Sequence, residues 1–395
     1  MVKILILYTK IGGGHKSTAQ SFCSQLTTSL GSSATIEMLD MFEADDKNKS
    51  KNQLINIGKI IEDNYTLSTT RLPFLWAFLV ILLKLNWFAR FCYWLFETHF
   101  SHNIDTAIAR FEPDIVICTY YGGAEYVSKK YGVKNNIKTF TVAPDLFSPH
   151  PAWFRPDTAN NYLVFSDQAK QIATNMNIQN ITNLGLCFDN RFEQKMTREQ
   201  ILEFKKLNAI DPNQKLILAI GGGSGFPKAK KLLQECLKAE IKLNTQLVIV
   251  CGRDQKLKAN LEFILEKRLA KNTQKNNQSN IQILGFSKQI YEWINCADIV
   301  ISKSGPATVL EVVAIQKPLF LIHYIWEQEQ GNMQWVVNNN LGIYESNPTI
   351  MISKIQEYLE EKTTIKTKFE TINLQNNIHK ITDVIYPNPS LSSFS

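Results

Sequence analysis

Twice in this chain a short apolar run ends in three consecutive glycines and passes into a helix-like stretch. Ile4-Leu5-Ile6-Leu7-Tyr8 leads to Gly12-Gly13-Gly14 and then to a stretch from about His15 to Leu30. Leu216-Ile217-Leu218-Ala219-Ile220 leads to Gly221-Gly222-Gly223 and then to a stretch from about Lys228 to Leu237. A short buried strand, a glycine turn and a helix form the opening unit of a doubly wound α/β domain. The two openings lie 209 residues apart, the length of one domain plus a connection, so two such domains in tandem are expected.

Further short runs rich in Ile, Val and Leu support a parallel sheet in each half. They are Thr35–Met38, Ile115–Cys118, Lys138–Val142 and Tyr162–Phe165, then Gln246–Cys251, Ile281–Leu284, Ile299–Ser302 and Pro318–Ile322. The expected division is residues 1–188, residues 189–355, and a C-terminal stretch 356–395 of helices and tail able to pack back on the first domain. Asp189–Gln214 reads as the connection plus one helix, 270–280 as a solvated loop, and the tail after Tyr386 as unstructured.

Composition removes several function classes. A formal charge of +7 over 395 residues favours anionic partners, but no dense basic stretch or aromatic-rich motif argues for nucleic acid. The seven cysteines never form a C-x-x-C pair, which argues against zinc sites and disulfides and for a reducing, cytosolic setting. Met1–Leu7 reads as a strand and not as a signal-peptide core. Leu72–Leu83, the longest uncharged apolar run at twelve residues, is too short to span a bilayer, which needs about 20.

Gly12-Gly13-Gly14-His15-Lys16-Ser17 lets backbone approach a ligand at a helix start. It is not a Walker A loop, because His15 stands where a glycine should precede Lys16-Ser17. A dinucleotide fingerprint would need its third glycine at Ser17, yet Asp40 at the end of the next strand keeps a nicotinamide enzyme open, as does the plain reading of a tight turn. His15 at a helix N-terminus is expected to stay neutral, as a general base must, or else to cap the helix.

The richest segment follows Asp298-Ile299-Val300-Ile301. Lys303, Ser304, Gly305, Pro306, Ala307 and Thr308 open a helix and suit a phosphate cradle. Glu311, one to two turns in, could accept the two hydroxyls of a ribose. Gln328, Glu329 and Asn332, beyond the next strand, suit sugar hydroxyls.

Taken in order, the chain resembles a known family. Gly12-Gly13-Gly14-His15, Pro144-Asp145-Leu146 with His150-Pro151-Ala152-Trp153-Phe154, and Gly221-Gly222-Gly223-Ser224-Gly225 are similar to segments of the monogalactosyldiacylglycerol synthase and processive diacylglycerol glucosyltransferase family. So are Cys251-Gly252-Arg253, Ser302–Thr308 with Glu311, and Gln328–Asn332. These proteins are distant relatives of the peptidoglycan N-acetylglucosaminyltransferase. The resemblance implies the GT-B fold, two Rossmann-like domains with parallel sheets facing across a cleft, an α/β protein throughout. It implies UDP-sugar in the C-terminal domain, with Gly221, Gly222, Gly223, Ser224, Arg253 and Phe286 near the nucleotide. Diphosphate would lie on Ser304–Thr308 with Lys303, ribose on Glu311, and sugar on Gln328, Glu329 and Asn332. It implies a lipid acceptor on the N-terminal domain, near Gly12, Gly13, Gly14, His150 and Trp153, with His15 as base and Asp145 as a second acid. This sequence has Pro144 where the family usually has Thr, Gly185-Leu186-Cys187 for Gly-Ile-Pro, and Gln330 for an acid.

Leu72–Phe96 carries Trp76, Trp87 and Trp94 with Lys84 and Arg90, and Lys47–Arg90 holds seven basic residues against two acidic ones. This suits a helix lying in the interface of an anionic bilayer, or a buried helix of the first core; the lipid acceptor that the resemblance implies favours the former. The protein is thus expected as a peripheral protein of the cytosolic membrane face. Metal chemistry is not expected: Glu97, His99 and His102 are loosely spaced and no Asp-x-Asp occurs. No cofactor is expected beyond the UDP-sugar donor substrate. The expected reaction is an inverting transfer of galactose or glucose from UDP to diacylglycerol or a related membrane lipid, giving a β-glycosyl lipid. An N-acetylglucosaminyltransferase with a polyprenyl-linked acceptor, a UDP-sugar 2-epimerase and a catalytically silent lipid-binding protein are the alternatives.

Overall fold

Isoleucine, leucine and valine are bulky or β-branched and pack well on both faces of a covered sheet, so the apolar runs become strands. The computed structural model describes residues 1–10, 14–42, 73–132, 135–156, 158, 160–222, 226, 228–239, 245–270, 280–362, 367–369, 372 and 374–387. Among these, the first half forms β1 (Val2–Tyr8), β2 (Ala34–Asp40), β3 (Ile115–Cys118), β4 (Lys138–Val142), β5 (Asn161–Val164) and β6 (Ile181–Asn183). The second half forms β7 (Lys215–Ile220), β8 (Thr245–Val250), β9 (Ile281–Leu284), β10 (Ile299–Lys303), β11 (Leu319–His323) and β12 (Gly342–Tyr344). Every expected strand is present. The edge strands β6 and β12 were not expected: three residues each, partly polar, make no apolar run.

Both sheets are wholly parallel. The first runs β2-β1-β3-β4-β5-β6 and the second β12-β11-β10-β7-β8-β9. In each, the chain leaves the first strand of the domain to one side and later crosses to its other side. The switch points fall between β1 and β3, and between β7 and β10. Loops leaving neighbouring strands in opposite directions open a crevice at the carboxyl ends, where ligands of such sheets bind. The residues after Tyr8, Cys118, Ile220 and Lys303 are therefore the ones the topology selects.

The chain divides into two compact units, one of residues 1–188, 326–328 and 375–395, the other of residues 189–325 and 329–374. The C-terminal stretch is split between them. Helix Pro348–Leu359 adds Met351, Ile352 and Ile355 to the core of the second unit, beside Ile217, Ile249, Ile301 and Phe320. Helix Lys380–Ile385 returns to the first unit and packs on helix Gly14–Leu30. Asn376 secures that return, its Nδ2 donating to Phe188 O at 3.0 Å while its Oδ1 accepts from Phe188 N at 3.2 Å.

The run Leu72–Leu83 becomes helix Pro73–Leu82, followed closely by helix Asn86–Phe111. The second buries Phe100, Ile104 and Ile108 against Leu5, Leu7 and Val116 of the first core. Among the described residues no helix is long and apolar enough to cross a membrane.

β12 approaches β11 closely enough to require glycine: a Cβ on Gly342 would sit 1.8 Å from Leu319 O. Backbone cannot yield as a side-chain tip can, so Gly342→Ala should cost on the order of 2–4 kcal/mol of unfolding free energy. Urea denaturation measures it; a loss under about 0.5 kcal/mol, the usual size of a surface substitution, would show that β12 is not held in place.

Candidate functional site

In the first unit the β1–β3 switch point gathers a polar and aromatic cluster. His15 stands in the first turn of helix Gly14–Leu30, and its Nδ1 lies 2.7 Å from Thr119 O, just beyond β3. Thr119 Oγ1 donates in return to His15 O at 2.9 Å. A carbonyl can only accept, so Nδ1 carries the proton and Nε2 presents the lone pair. Burial lowers the imidazole pKa to about 4, with the Thr119 bond opposing. His15 is therefore neutral at pH 7, as its position at a helix start suggested, although desolvation is the main cause. The ring lies edge-on to Tyr120, centroids 5.0 Å apart, with Trp153 at 5.8 Å and Tyr121 stacked on Tyr120 at 4.4 Å.

Asp145 follows β4 and is buried, accepting from Trp153 Nε1 at 3.1 Å. The Trp153 loop is tied to both helices of the apolar segment. His150 Nε2 lies 3.0 Å from Val80 O, and Tyr93 OH donates to Ala152 O at 2.5 Å. Arg155 stacks its guanidinium 4.2 Å over the Tyr93 ring. Behind the loop Glu125 is fully enclosed and bonded to Gly122 N–H, Thr141 and Tyr162, and its burial raises the carboxyl pKa. Thr119, Tyr93, Tyr120, Tyr121 and Glu125 were not singled out from sequence. The first, third and fourth directly follow a recognised strand at the switch point, which is the signal that could have found them.

The outward side of the two helices is apolar. Phe74, Phe78, Ile81, Leu85, Trp87, Phe91, Trp94 and Leu95 are all exposed, Trp87 at 66% and Trp94 at 60%. Arg90 is exposed as well, while Lys84 pairs with Glu327 at 2.5 Å. The side chain of Trp76 lies outside what is described, as do Gly12, Gly13, Gly223 and Ser224.

In the second unit the β7–β10 switch point brings the glycine turn to the helix start after β10. Gly222 adopts φ +75°, and a Cβ there would meet Thr308 Oγ1 at 3.9 Å. Gly305 caps helix Pro306–Ala314, whose first turn leaves N–H groups free for an anion. Ser304 is buried, its Oγ donating to Glu329 O at 3.1 Å while its carbonyl accepts from Asn332 Nδ2 at 2.9 Å. The Glu329 carboxylate is committed to Lys303 and to Ile325 N–H at 3.0 Å, so it shapes the cradle, and a sugar hydroxyl would have to share it. Gln328, expected beside it, groups with the first unit, where Ser148 Oγ donates to Glu327 O at 2.8 Å.

Glu311 has no hydrogen-bond partner for its carboxylate among the described residues. Burial pushes its pKa up to about 7, Asp189 adds to the rise, and Arg191 opposes it. A carboxyl so poised is available to two hydroxyls. Arg253 lies over Phe286, 5.1 Å from the ring centroid, at the ends of β8 and β9. Among the described residues no group of His, Cys, Asp and Glu could hold a metal ion.

Comparison with known proteins accords with both halves. Residues 15–187 match the monogalactosyldiacylglycerol (MGDG) synthase family, and residues 216–385 match the glycosyltransferase family 28 C-terminal domain. Monogalactosyldiacylglycerol synthase 2 of Arabidopsis thaliana is 24% identical over 369 residues, 91% of this chain and 74% of that protein. The spinach (Spinacia oleracea) synthase is 24% identical over 377 residues, 91% of this chain and 66% of that protein. The chain spans about two thirds of the length of these curated relatives, from 62% to 74%.

Among solved structures, Acinetobacter baumannii MurG superposes with a TM-score of 0.55 at 14% identity, covering 98% of this chain and 99% of that one. Anabaena HepE in complex with UDP gives 0.54 at 12%, covering 98% and 96%. A Listeria monocytogenes protein described as a UDP-N-acetylglucosamine 2-epimerase gives 0.58 at 12%, covering 98% and 97%. Fold likeness thus does not separate transferase from epimerase; the family matches do. The chain has the GT-B fold, and each of its halves matches a glycosyltransferase family model. Within that class its resemblance is to the monogalactosyldiacylglycerol synthases, and it runs through most of the chain.

An imidazole held neutral in the folded state, but protonated near pH 6.5 when unfolded, stabilises fully above pH 6.5. That stability is lost as pH falls from 6.5 toward 4. Between pH 7 and 4.5, His15→Asn should lose on the order of 2 kcal/mol less stability than the native chain. Denaturant midpoints across that range test it; parallel losses would show His15 protonated freely in the fold.

Proposed function

We propose that this protein transfers a hexose from a UDP-sugar to diacylglycerol or a related membrane lipid, with inversion to a β-glycoside, at an anionic membrane surface. The observation that carries this reading is that the first unit holds two things together. One is a neutral histidine with Nε2 available as a base; the other is an exposed aromatic face too large to be incidental. Tryptophan and phenylalanine with scattered cations suit the headgroup boundary, where a lipid alcohol presents its hydroxyl. A soluble-substrate epimerase has no use for such a face.

The reading assigns the nucleotide to the second unit. Free N–H groups at the Gly305 helix start would take the diphosphate without a divalent ion, and Glu311 the ribose. His15 removes the proton from the acceptor hydroxyl as that oxygen attacks the anomeric carbon. UDP departs with the electron pair of the broken bond. Asp145, buried and bonded to Trp153, orients the acceptor side.

The decisive assay incubates the protein with radiolabelled UDP-galactose or UDP-glucose and vesicles of phosphatidylglycerol and diacylglycerol. A labelled lipid with a β linkage is expected; release of an epimerised sugar nucleotide, or label only in water, would overturn the reading. One positioned base is worth about 10²–10⁴ in rate. His15→Ala should lose that much turnover and keep UDP affinity, whereas equal loss of both would make His15 structural.

Vesicle flotation tests the surface. Replacing Trp87, Phe91 and Trp94 together with serine should abolish association with anionic vesicles while leaving UDP affinity unchanged. Retained flotation would place the membrane contact elsewhere.

A further inference from the structure

His323 ends β11 at the same strand ends as the phosphate cradle, and nothing in the reading above uses it. A bulge puts it there. β10 and β11 pair Ser302 with Leu321 and then Lys303 with His323, skipping Ile322. Without that extra residue Lys303 would face an isoleucine; with it, an ammonium and an imidazole stand side by side. Bulges of this kind re-aim side chains next to active sites. The backbone is tied to the cradle as well, Ser304 N–H donating to His323 O at 3.0 Å.

The charges facing the imidazole come from three elements. Lys228 precedes the helix after the glycine turn, Lys303 ends β10, and Glu329 precedes helix Gln330–Asn338. Two cations and one carboxylate leave a positive balance, which suits an anion. His323 Nε2 is buried, and no hydrogen-bond partner for it lies among the described residues. Ser302 Oγ and Asn332 Oδ1, on β10 and on helix Gln330–Asn338, are in the same condition. A buried polar atom without a partner is disfavoured unless something binds there. His323 Nε2, unpartnered and facing Lys228 and Lys303, marks a place prepared for a polar ligand.

We propose that His323 is a donor-site residue whose Nε2–H hydrogen-bonds the sugar-proximal phosphate of a nucleoside diphosphate seated on the Ser304–Thr308 helix start. The inference rests on the donor reading above and deepens it. Glu311 marks the ribose end of the cradle and Glu329 the sugar end, and His323 stands with Glu329. Burial keeps the ring neutral, with Lys228 and Lys303 acting in the same sense and Glu329 opposing. A neutral imidazole still offers one N–H. That donor gains most when the glycosyl bond breaks and negative charge collects on this phosphate.

Titration calorimetry of the full chain with UDP, UMP and uridine separates the possibilities. His323→Ala should weaken UDP about tenfold, the effect of one charge-assisted hydrogen bond, and leave UMP and uridine within twofold. His323→Gln, whose amide N–H reaches the Nε2 position, should recover most of the loss. Equal weakening of all three ligands, or none of UDP, would overturn the role. So would a loss seen with the UDP-sugar but not with UDP. A native chain that binds none of the three would remove the donor reading itself, a result distinct from these.

Discussion

A parallel strand cannot pair with the next strand through a tight turn, because the chain must first travel back to the starting edge. Each connection is a crossover, and all strands of a sheet end on the same side. In both sheets here the order reverses once, between β1 and β3 and between β7 and β10. A polar cluster of each sheet lies at its reversal. His15 meets Thr119 at the first, and Gly222 meets Thr308 at the second. The glycines permit close approach, but the crossovers decide what is approached.

Burial disfavours charge in both units, among different neighbours. In the first, desolvation strips charge from the site: His15 is neutral, Glu125 is raised, and aromatic rings surround His15. That environment keeps the imidazole lone pair free of a proton, at the expense of its basicity. In the second, burial likewise raises Glu311 and lowers His323, while Lys303 and Glu329 form an ion pair. A helix presents its N-terminus there, and the Glu311 carboxylate has no hydrogen-bond partner among the described residues. An anion gains from that environment.

Most of the sheet architecture was legible from sequence. Isoleucine–valine runs of four to seven residues admit few other readings when glycine turns and helix-length gaps separate them. The edge strands β6 and β12 were not legible, since Ile181-Thr182-Asn183 and Gly342-Ile343-Tyr344 pair only because a neighbour offers an unpaired edge. The order of motifs from Gly12 to Asn332 was legible as well, and it led to the monogalactosyldiacylglycerol synthase resemblance that residues 15–187 and the curated relatives also carry. The aromatic enclosure of His15 was not. Tyr93, Tyr120, Tyr121 and Trp153 come from three separate segments, and no spacing rule links them.

By itself the sequence determined the class of fold, the two glycine turns that open the domains, and the apolar segment too short to span a bilayer. Those depend on local pattern, which a chain carries whether folded or not. Only the tertiary structure decided which tautomer His15 adopts, that Glu329 is spent on Lys303, and that Trp87, Phe91 and Trp94 remain uncovered. It also decided that a one-residue bulge turns His323 toward Lys303. Each of these depends on groups distant in the chain becoming neighbours, and on water being excluded or admitted there. That is a property of packing and has no counterpart in residue order.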